Sequence, residues 1–405
     1  MMGTLRGLLR AVGVATAVIV AAAACSSSGS TDGGTSTATG SPIKIGAICT
    51  CSGTLSIKGP AEAYKAWVAS TNAAGGVNGH PIELTLLDDS GTPGKSATAA
   101  RTLISKKVVA IVDLTNVDQT WAKLAQDARI PVVGAQVTTT PSYTNPYFFP
   151  PGLTENSLFT SVLRSAQEAD AKSFGIFYCA EAVQCQEGLE PLKKVGEGLG
   201  LPVSYAAEIS ATAPNYTAQC IAARDKKIEA LFIAHVSAVA EKVAANCAQQ
   251  NYHPVYVVSG DTIGKRYEAL AGLKENLVGP ASSLPFFLDT PALRTMNAAL
   301  DKYSPGLRDD KLLYSQGVPL GWLSGQLFGA AAKAGGLGAG GSTPTSEQVL
   351  TGLHALRGET LDGQAAPLTF EAGKGHQINC WFEISLRDGK LGAPNDTKPT
   401  CATSS

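Results

Sequence analysis

The sequence predicts an α/β protein built as two doubly wound lobes, and three observations predict it. Apolar runs of strand length, such as Val108 to Val112 and Ala230 to Ala234, alternate with segments of helical periodicity. That alternation occurs as two successive series, parted at Tyr143 to Pro151 by a stretch rich in Tyr, Phe, Asn and Pro. The stretch from Asn72 to Asp89 also reads as one complete helix–turn–strand unit of such a fold.

The elements follow in order. Ile43 to Ile48 is a first strand, Cys49 to Gly59 its exit loop, and Pro60 opens a helix running to Ala73. Tyr64, Trp67, Val68 and Thr71 share one face of that helix. Gly75-Gly76 ends it, because glycine accepts the left-handed conformation beyond a helix without a Cβ clash. Asn78-Gly79 turns the chain, and Ile82, Leu84 and Leu86 alternate with Glu83 and Thr85 as a second strand. Asp88-Asp89 then lies at the carboxyl edge of the sheet, the edge that faces the ligand crevice in open α/β folds. Ser96 to Lys106 is helical, Val108 to Val112 a strand covered on both faces, and Asp113 to Val117 its exit loop. Gln119 to Ala128 is the next helix, Pro131 to Gly134 a fourth strand, and Gln136 to Pro141 its exit loop.

The second series opens with a helix from Asn156 to Ala169. Its strands are Ser173 to Tyr178, Val203 to Ile209, Ala230 to Ala234 and Val255 to Ser259. Its helices are Glu187 to Gly198, Thr217 to Lys226 and Ser237 to Gln250. Three further helices are read at Ala292 to Tyr303, Gly321 to Ala334 and Thr345 to Leu356, the last with Ser346 as N-cap. Leu368 to Lys390 reads as a strand pair around Gly373-Lys374-Gly375.

Ahead of all this lies a leader. Arg6 and Arg10 give a basic start, and Ala11 to Ala24 is an uncharged apolar run, of signal-peptide length and too short to span a bilayer. Small residues, Ala22-Ala23-Ala24, precede Cys25. This resembles a bacterial lipobox, so residues 1–24 are read as a signal peptide and Cys25 as the lipidated new amino terminus, the alternative being ordinary cleavage after Ala24 with Cys25 left free. Ser26 to Ser41 contains only Ser, Thr, Gly, Asp and one Ala, so it reads as a disordered tether. Sixteen flexible residues give an end-to-end distance of roughly 20–24 Å, which places the protein on the outer face of the membrane.

Composition excludes several classes. The chain has 32 basic and 33 acidic residues, with no Lys/Arg cluster interleaved with aromatics, so nucleic acid is not a partner. Gly336 to Gly341 fits G-x-G-x-x-G, but a helix precedes it where a dinucleotide site needs a strand, so it reads as a surface loop. No G-x-S-x-G elbow and no P-loop occur. The five histidines are far apart and no C-x₂-C pair occurs, so no metal site is expected. His235, ending an apolar strand, reads as a core or cleft-lining residue. Asp88-Asp89 and Asp309-Asp310 are adjacent pairs that would point apart on a strand, not catalytic dyads. No cofactor and no enzymatic activity are expected.

Nine cysteines occur, and setting Cys25 aside leaves eight, an even count that reads as disulfides in an exported chain. A bond between lobes would oppose opening, so pairs local in sequence are expected: Cys179–Cys185, Cys220–Cys247 and Cys380–Cys401. Cys49 and Cys51 form a fourth pair only if a tight C-x-C ring closes; otherwise both are free thiols.

The segment "NAAGGVNGHPIELTLLDD" resembles the Asn-Ala-Ala-Gly-Gly segment of the solute-binding proteins of branched-chain amino acid ABC transporters, and the likeness extends from about Ile43 to Gly389. The resemblance implies a type I periplasmic binding fold with three strands crossing between lobes as a hinge. Lobe 1 would be Pro42–Gly152 plus Ser282–Gly358, and lobe 2 Leu153–Ala281 plus Glu359–Cys401. It implies a small-molecule ligand, an amino acid or other small carboxylate, held between the lobes of a monomer and delivered to membrane permease subunits. The family's carboxylate-binding loops fall on Thr115 and Asn116 and on Val137, Thr138 and Thr139. Lys58 falls where a covering aromatic is common, Cys185 and Val236 where tyrosines are common, and Asp261 where a second-lobe acid meets the ligand's ammonium. Those departures take away the family's aromatic lining while keeping the first-lobe loops. A ligand-sensing receptor of the same fold is the alternative reading, and a secreted hydrolase a further one.

Overall fold

The computed structural model describes residues 38–402, apart from 54–55, 135–138 and 182. The signal peptide, Cys25 and the tether up to residue 37 lie outside the described residues. The ordered body starts before Pro42: the Gly40 N–H donates to the Gly79 carbonyl at 2.9 Å, and the His80 ring lies 2.7 Å from the Ser41 carbonyl. Among the described residues, no helix is long and apolar enough to cross a membrane.

The first series forms β1 (Ile43–Cys49), α1 (Lys58–Ala73), β2 (Ile82–Asp88), α2 (Pro93–Ser105), β3 (Ala110–Leu114), α3 (Ala122–Asp127), β4 (Val132–Gly134), α4 (Thr140–Thr144) and β5 (Phe148–Phe149). The second forms α5 (Glu155–Glu168), β6 (Phe174–Cys179), α6 (Val183–Glu187), α7 (Leu189–Gly198), β7 (Val203–Ile209), α8 (Thr217–Asp225), β8 (Ala230–Ala234), α9 (Ser237–Gln249), β9 (Val255–Val257) and β10 (Asn276–Ala281). Then come α10 (Pro291–Tyr303), α11 (Val318–Ala334), α12 (Ser346–Ala355), β11 (Arg357–Glu359), β12 (Leu368–Thr369), β13 (Cys380–Arg387), β14 (Lys390–Gly392) and β15 (Thr400–Cys401).

Two sheets carry the fold. The first is all parallel, in the order β2-β1-β3-β4-β5. The second holds the parallel run β7-β6-β8-β9-β10 and continues through antiparallel β13 to β14, with β15 on β13. The parallel strands of both sheets are wound in the same order. In each, the chain leaves the first two adjacent strands, β1 and β3 or β6 and β8, in opposite directions, which opens a crevice at their carboxyl ends. The chain passes between the two sheets at residues 150–154, again at 282–284, and once more between β12 and β13.

Helix α1 buries Ala61, Ala63, Tyr64, Ala66, Trp67 and Val68, and Tyr64 stacks on Trp67 with ring centroids 5.7 Å apart. Gly75 and Gly76 take φ of 99° and 76° beyond its end. Helices α10 and α11 pack on α1, and α12 on α11. Thr345, not Ser346, caps α12: its hydroxyl accepts from the Gln348 N–H while the Gln348 side chain accepts from the Thr345 N–H.

Two differences from the sequence reading have plain causes. The pair expected across Leu368 to Lys390 does not form. Leu368–Thr369 pairs with Arg357–Glu359, and Cys380–Arg387 lies antiparallel along β10, where a six-residue ladder is available. The intervening Phe370 and His376 instead join a ring cluster with Phe149, at centroid distances of 5.3 and 4.9 Å from it. Strand β10 was not expected, because Gly279-Pro280 interrupts its apolar pattern. Its pairing with β9 ends at Val278, so the missing N–H of Pro280 interrupts no bond to β9.

Among the described residues four disulfides are present: Cys49–Cys51, Cys179–Cys185, Cys220–Cys247 and Cys380–Cys401. Cys49 and Cys51 are therefore joined and are not free thiols. Cys220 and Cys247 bridge α8 and α9, while Cys380 and Cys401 bridge β13 and β15.

Candidate functional site

The crevices of the two sheets open onto one cleft of about 370 Å³. Ser56, Ile57 and Asn116, from the exits of β1 and β3, form part of its wall. Cys179, Cys185, Ala234, His235 and Val236, from the exits of β6 and β8, form another part. Ser259, Asp261 and Thr262 follow β9, and Leu312, Leu313 and Ser315 come from the loop before α11. A site at the switch points of two doubly wound sheets is where such folds place ligands.

Hydroxyls, an amide and helix starts supply most of the wall's polar groups. The N-cap positions of α1 and α9, Ile57 and Val236, make no side-chain cap bond, and both lie on the wall. The first-turn N–H groups of a helix have no partner inside that helix, so these two starts offer donors and a partial positive charge. Among the described residues, no Lys or Arg lines the cleft, and the carboxylates that do are Glu155 and Asp261.

Each ionisable group on the wall is tied to a neighbour. Asp261 accepts from the Ser282 N–H at 3.1 Å and from the Ser282 hydroxyl at 2.8 Å, yet burial pushes its carboxyl up to about 6. Glu155 accepts from the Tyr143 hydroxyl at 2.6 Å, and burial raises it too. His235 accepts the Val236 N–H at Nδ1, so its proton sits on Nε2, 3.2 Å from Glu181. Burial holds this imidazole below its ordinary value despite the Glu181 carboxylate. His235 is thus a neutral ring anchored sideways, with no nucleophile beside it.

Of the residues expected from the sequence, Asn116, Cys185, Val236 and Asp261 come together on the wall. Cys185 is present there as half of a disulfide with Cys179. Lys58 is exposed at the first position of α1, between Ile57 and Gly59, which do line the cleft. Thr115 and Thr139 are buried behind the wall. The Thr115 hydroxyl donates to Asp89, and the Thr139 hydroxyl donates to Asp118 at 2.5 Å. Val137 and Thr138 lie outside the described residues.

Behind the first sheet's exits sit three fully buried aspartates, Asp89, Asp113 and Asp118. Asp89 also accepts from the Thr50 hydroxyl at 3.0 Å and the Gly91 N–H at 2.8 Å. Burial raises both Asp113 and Asp118, the latter to about 6, and the neighbouring Asp118 carboxylate raises Asp113 further. These carboxylates brace the loops that carry Thr115, Asn116 and Thr139. Among the described residues, no cluster of His, Cys, Asp or Glu has the arrangement of a metal site.

The sequence reading missed Glu155, Leu158, Phe159, Ile176, Phe232 and Leu312, all on the wall. Leu312 alone carried a signal: an apolar pair, Leu312-Leu313, directly after Asp309-Asp310-Lys311. Glu155 is a first-turn acid of a helix, a usual place for one, and the rest sit at ordinary core positions of a helix and two strands.

A family model described as "Periplasmic binding protein" matches residues 42–390. Among solved structures, the chain is similar to a fatty acid ABC transporter substrate-binding protein from Thermomonospora curvata, at 19% identity and TM-score 0.74, over 88% of this chain and 92% of that one. It is similar to a branched chain amino acid ABC transporter protein from Thermus thermophilus with bound valine, at 16% identity and TM-score 0.78, over 89% and 97%. A third is an ABC transporter solute binding protein from R. palustris in complex with benzoate, at 17% identity and TM-score 0.71, over 89% and 98%. At these identities the likeness to the structures is one of fold. No curated protein matches the sequence.

Proposed function

The chain belongs to the periplasmic binding protein family, and from that premise we propose that it is the extracytoplasmic, lipid-anchored solute-binding component of an ABC importer. In this reading it closes two lobes, 42–152 plus 282–358 and 153–281 plus 359–401, on a small carboxylate-bearing solute, an amino acid or a related acid. It then presents that solute to permease subunits without altering it. Cys25 holds it to the membrane as a monomer.

The observation that carries the reading is a cleft at the switch points of both sheets, with two uncapped helix starts on its wall. A carboxylate suits such donors. Asn116, Cys185, Val236 and Asp261 are assigned to direct contact with the solute. Thr115 and Thr139, with Val137 and Thr138, shape the first-lobe loops, and Lys58 covers the opening.

The experiment is mass spectrometry of small molecules released on denaturing freshly purified protein, paired with solution scattering of the stripped chain on titration with acids and amino acids. A released carboxylic acid that also contracts the scattering profile is the expected result. A chain that carries nothing and contracts with no acid or amino acid overturns the reading.

A further inference from the structure

We propose that the solute is a straight-chain monocarboxylic acid, with its head toward the helix starts and its apolar tail in a slot between α5 and the second sheet. The proposal deepens the solute-binding reading and rests on it.

The slot follows from strand register. Ile176 of β6 and Phe232 of β8 are paired across the ladder, so their side chains share one face of the sheet. Ala234 lies two residues further along β8 on that same face, at the carboxyl end. Leu158 and Phe159 of α5 cover this face. All five line the cleft, although Leu158, Phe159, Ile176 and Phe232 each expose less than a tenth of their surface. The cavity therefore reaches past Ala234 into the second core, about 7 Å deeper at two residues of strand rise. Protein cores are normally packed without such gaps, and an apolar recess continuous with an open cleft is a place for an apolar group.

Two further observations agree. Leu312 is 75% exposed on the cleft wall, and Val183 is 56% exposed two residues before wall residue Cys185. The exposed Leu312 on the wall gains a partner when an alkyl chain passes it. Nor is either described carboxylate of the wall without a partner: both oxygens of Asp261 accept from Ser282, and Glu155 accepts from Tyr143, so an ammonium would have to share them.

The test is calorimetry on the stripped, full-length chain with butanoate, hexanoate, octanoate, decanoate and dodecanoate below their aggregation limits, and with leucine and benzoate. Affinity should rise about four-fold per methylene until the slot is full. Ala234→Phe closes the slot, so the dodecanoate-to-butanoate affinity ratio should collapse by at least ten-fold, with a melting transition to verify folding. Phe232→Ala deepens the slot and should shift the preferred acid to a longer chain. An affinity independent of chain length in the unaltered protein, or leucine or benzoate binding tighter than every straight-chain acid, overturns the proposal and leaves the solute-binding reading standing. Binding of no acid and no amino acid overturns both.

Discussion

Asp261 takes two hydrogen bonds from one residue: the N–H of Ser282 at 3.1 Å and its hydroxyl at 2.8 Å. Asp261 lines the cleft, and Ser282 is the first residue after β10, where the chain turns from the second sheet toward α10. A wall carboxylate is therefore fastened to a segment that crosses between the sheets.

That link has a pH signature. Burial raises Asp261 to about 6, and among the described residues no Lys or Arg lines the cleft to offset it. An arriving carboxylate disfavours the charged form further, so binding takes up protons. Affinity for a monocarboxylic acid should be higher at pH 5.5 than at pH 7.5. Calorimetry in buffers of different ionisation enthalpy should find net proton uptake near pH 6; proton release would contradict the assignment.

The crossings leave no room between them. A Cβ on Gly152 would lie 2.3 Å from the Cβ of Ser282, so Gly152→Ala must push two crossing segments apart. Overpacking of this kind costs about 1–3 kcal/mol. We expect a lower melting temperature for Gly152→Ala and a changed closure amplitude by scattering; an unchanged melting temperature would show that the crossing segments yield without strain.

Glu383 on β13 is a buried acid away from the cleft. It accepts from the Ser165 hydroxyl at 2.9 Å and the Trp381 indole at 3.2 Å, but burial outweighs both and raises it to about 8. A carboxyl raised in the folded state contributes stability that is full below its unfolded value of about 4.5 and is lost as pH rises through about 8. Melting temperature should therefore decline across that window. Glu383→Gln should flatten the decline; an unchanged slope would assign it to other groups.

The Cys220–Cys247 bond closes a loop of 27 residues between α8 and α9. Replacing both cysteines with serine should cost about 3 kcal/mol in denaturant unfolding under oxidising conditions. Solute affinity should be unchanged, because neither cysteine lines the cleft.

Lipidation is tested in the cell. Cys25→Ala should abolish incorporation of radiolabelled lipid and leave the protein released or unprocessed. Label retained by the variant would exclude Cys25 as the anchor.

The sequence made the helix–turn–strand unit at Asn72 to Asp89 legible, because period, turn chemistry and charge agreed at every residue. Asp261 was placed by the family resemblance and by its position just beyond a strand; position alone would not have sufficed, since Asp89, directly beyond β2, is buried behind the wall. Strand β10 was hidden by Gly279-Pro280, whose cost vanishes only because β9 is short. The hydroxyls of Thr115 and Thr139 looked available for a ligand. Their buried partners, Asp89 and Asp118, lie 26 and 21 residues away in sequence. The slot was invisible for another reason. Periodicity reports which face of an element is buried, and Leu158, Ile176 and Phe232 satisfy it whether their packing closes or leaves a gap.

Every disulfide joins a cysteine to the next one along the chain after Cys25: 49 with 51, 179 with 185, 220 with 247, and 380 with 401. For a polypeptide that is threaded out of the cell amino end first, each newly emerged thiol meets its permanent partner before any later one arrives. Oxidation can then keep pace with translocation, and of the 105 pairings open to eight cysteines the chain need never sample a wrong one. A simple dithiol oxidase suffices for its maturation, and a shuffling isomerase has nothing to correct.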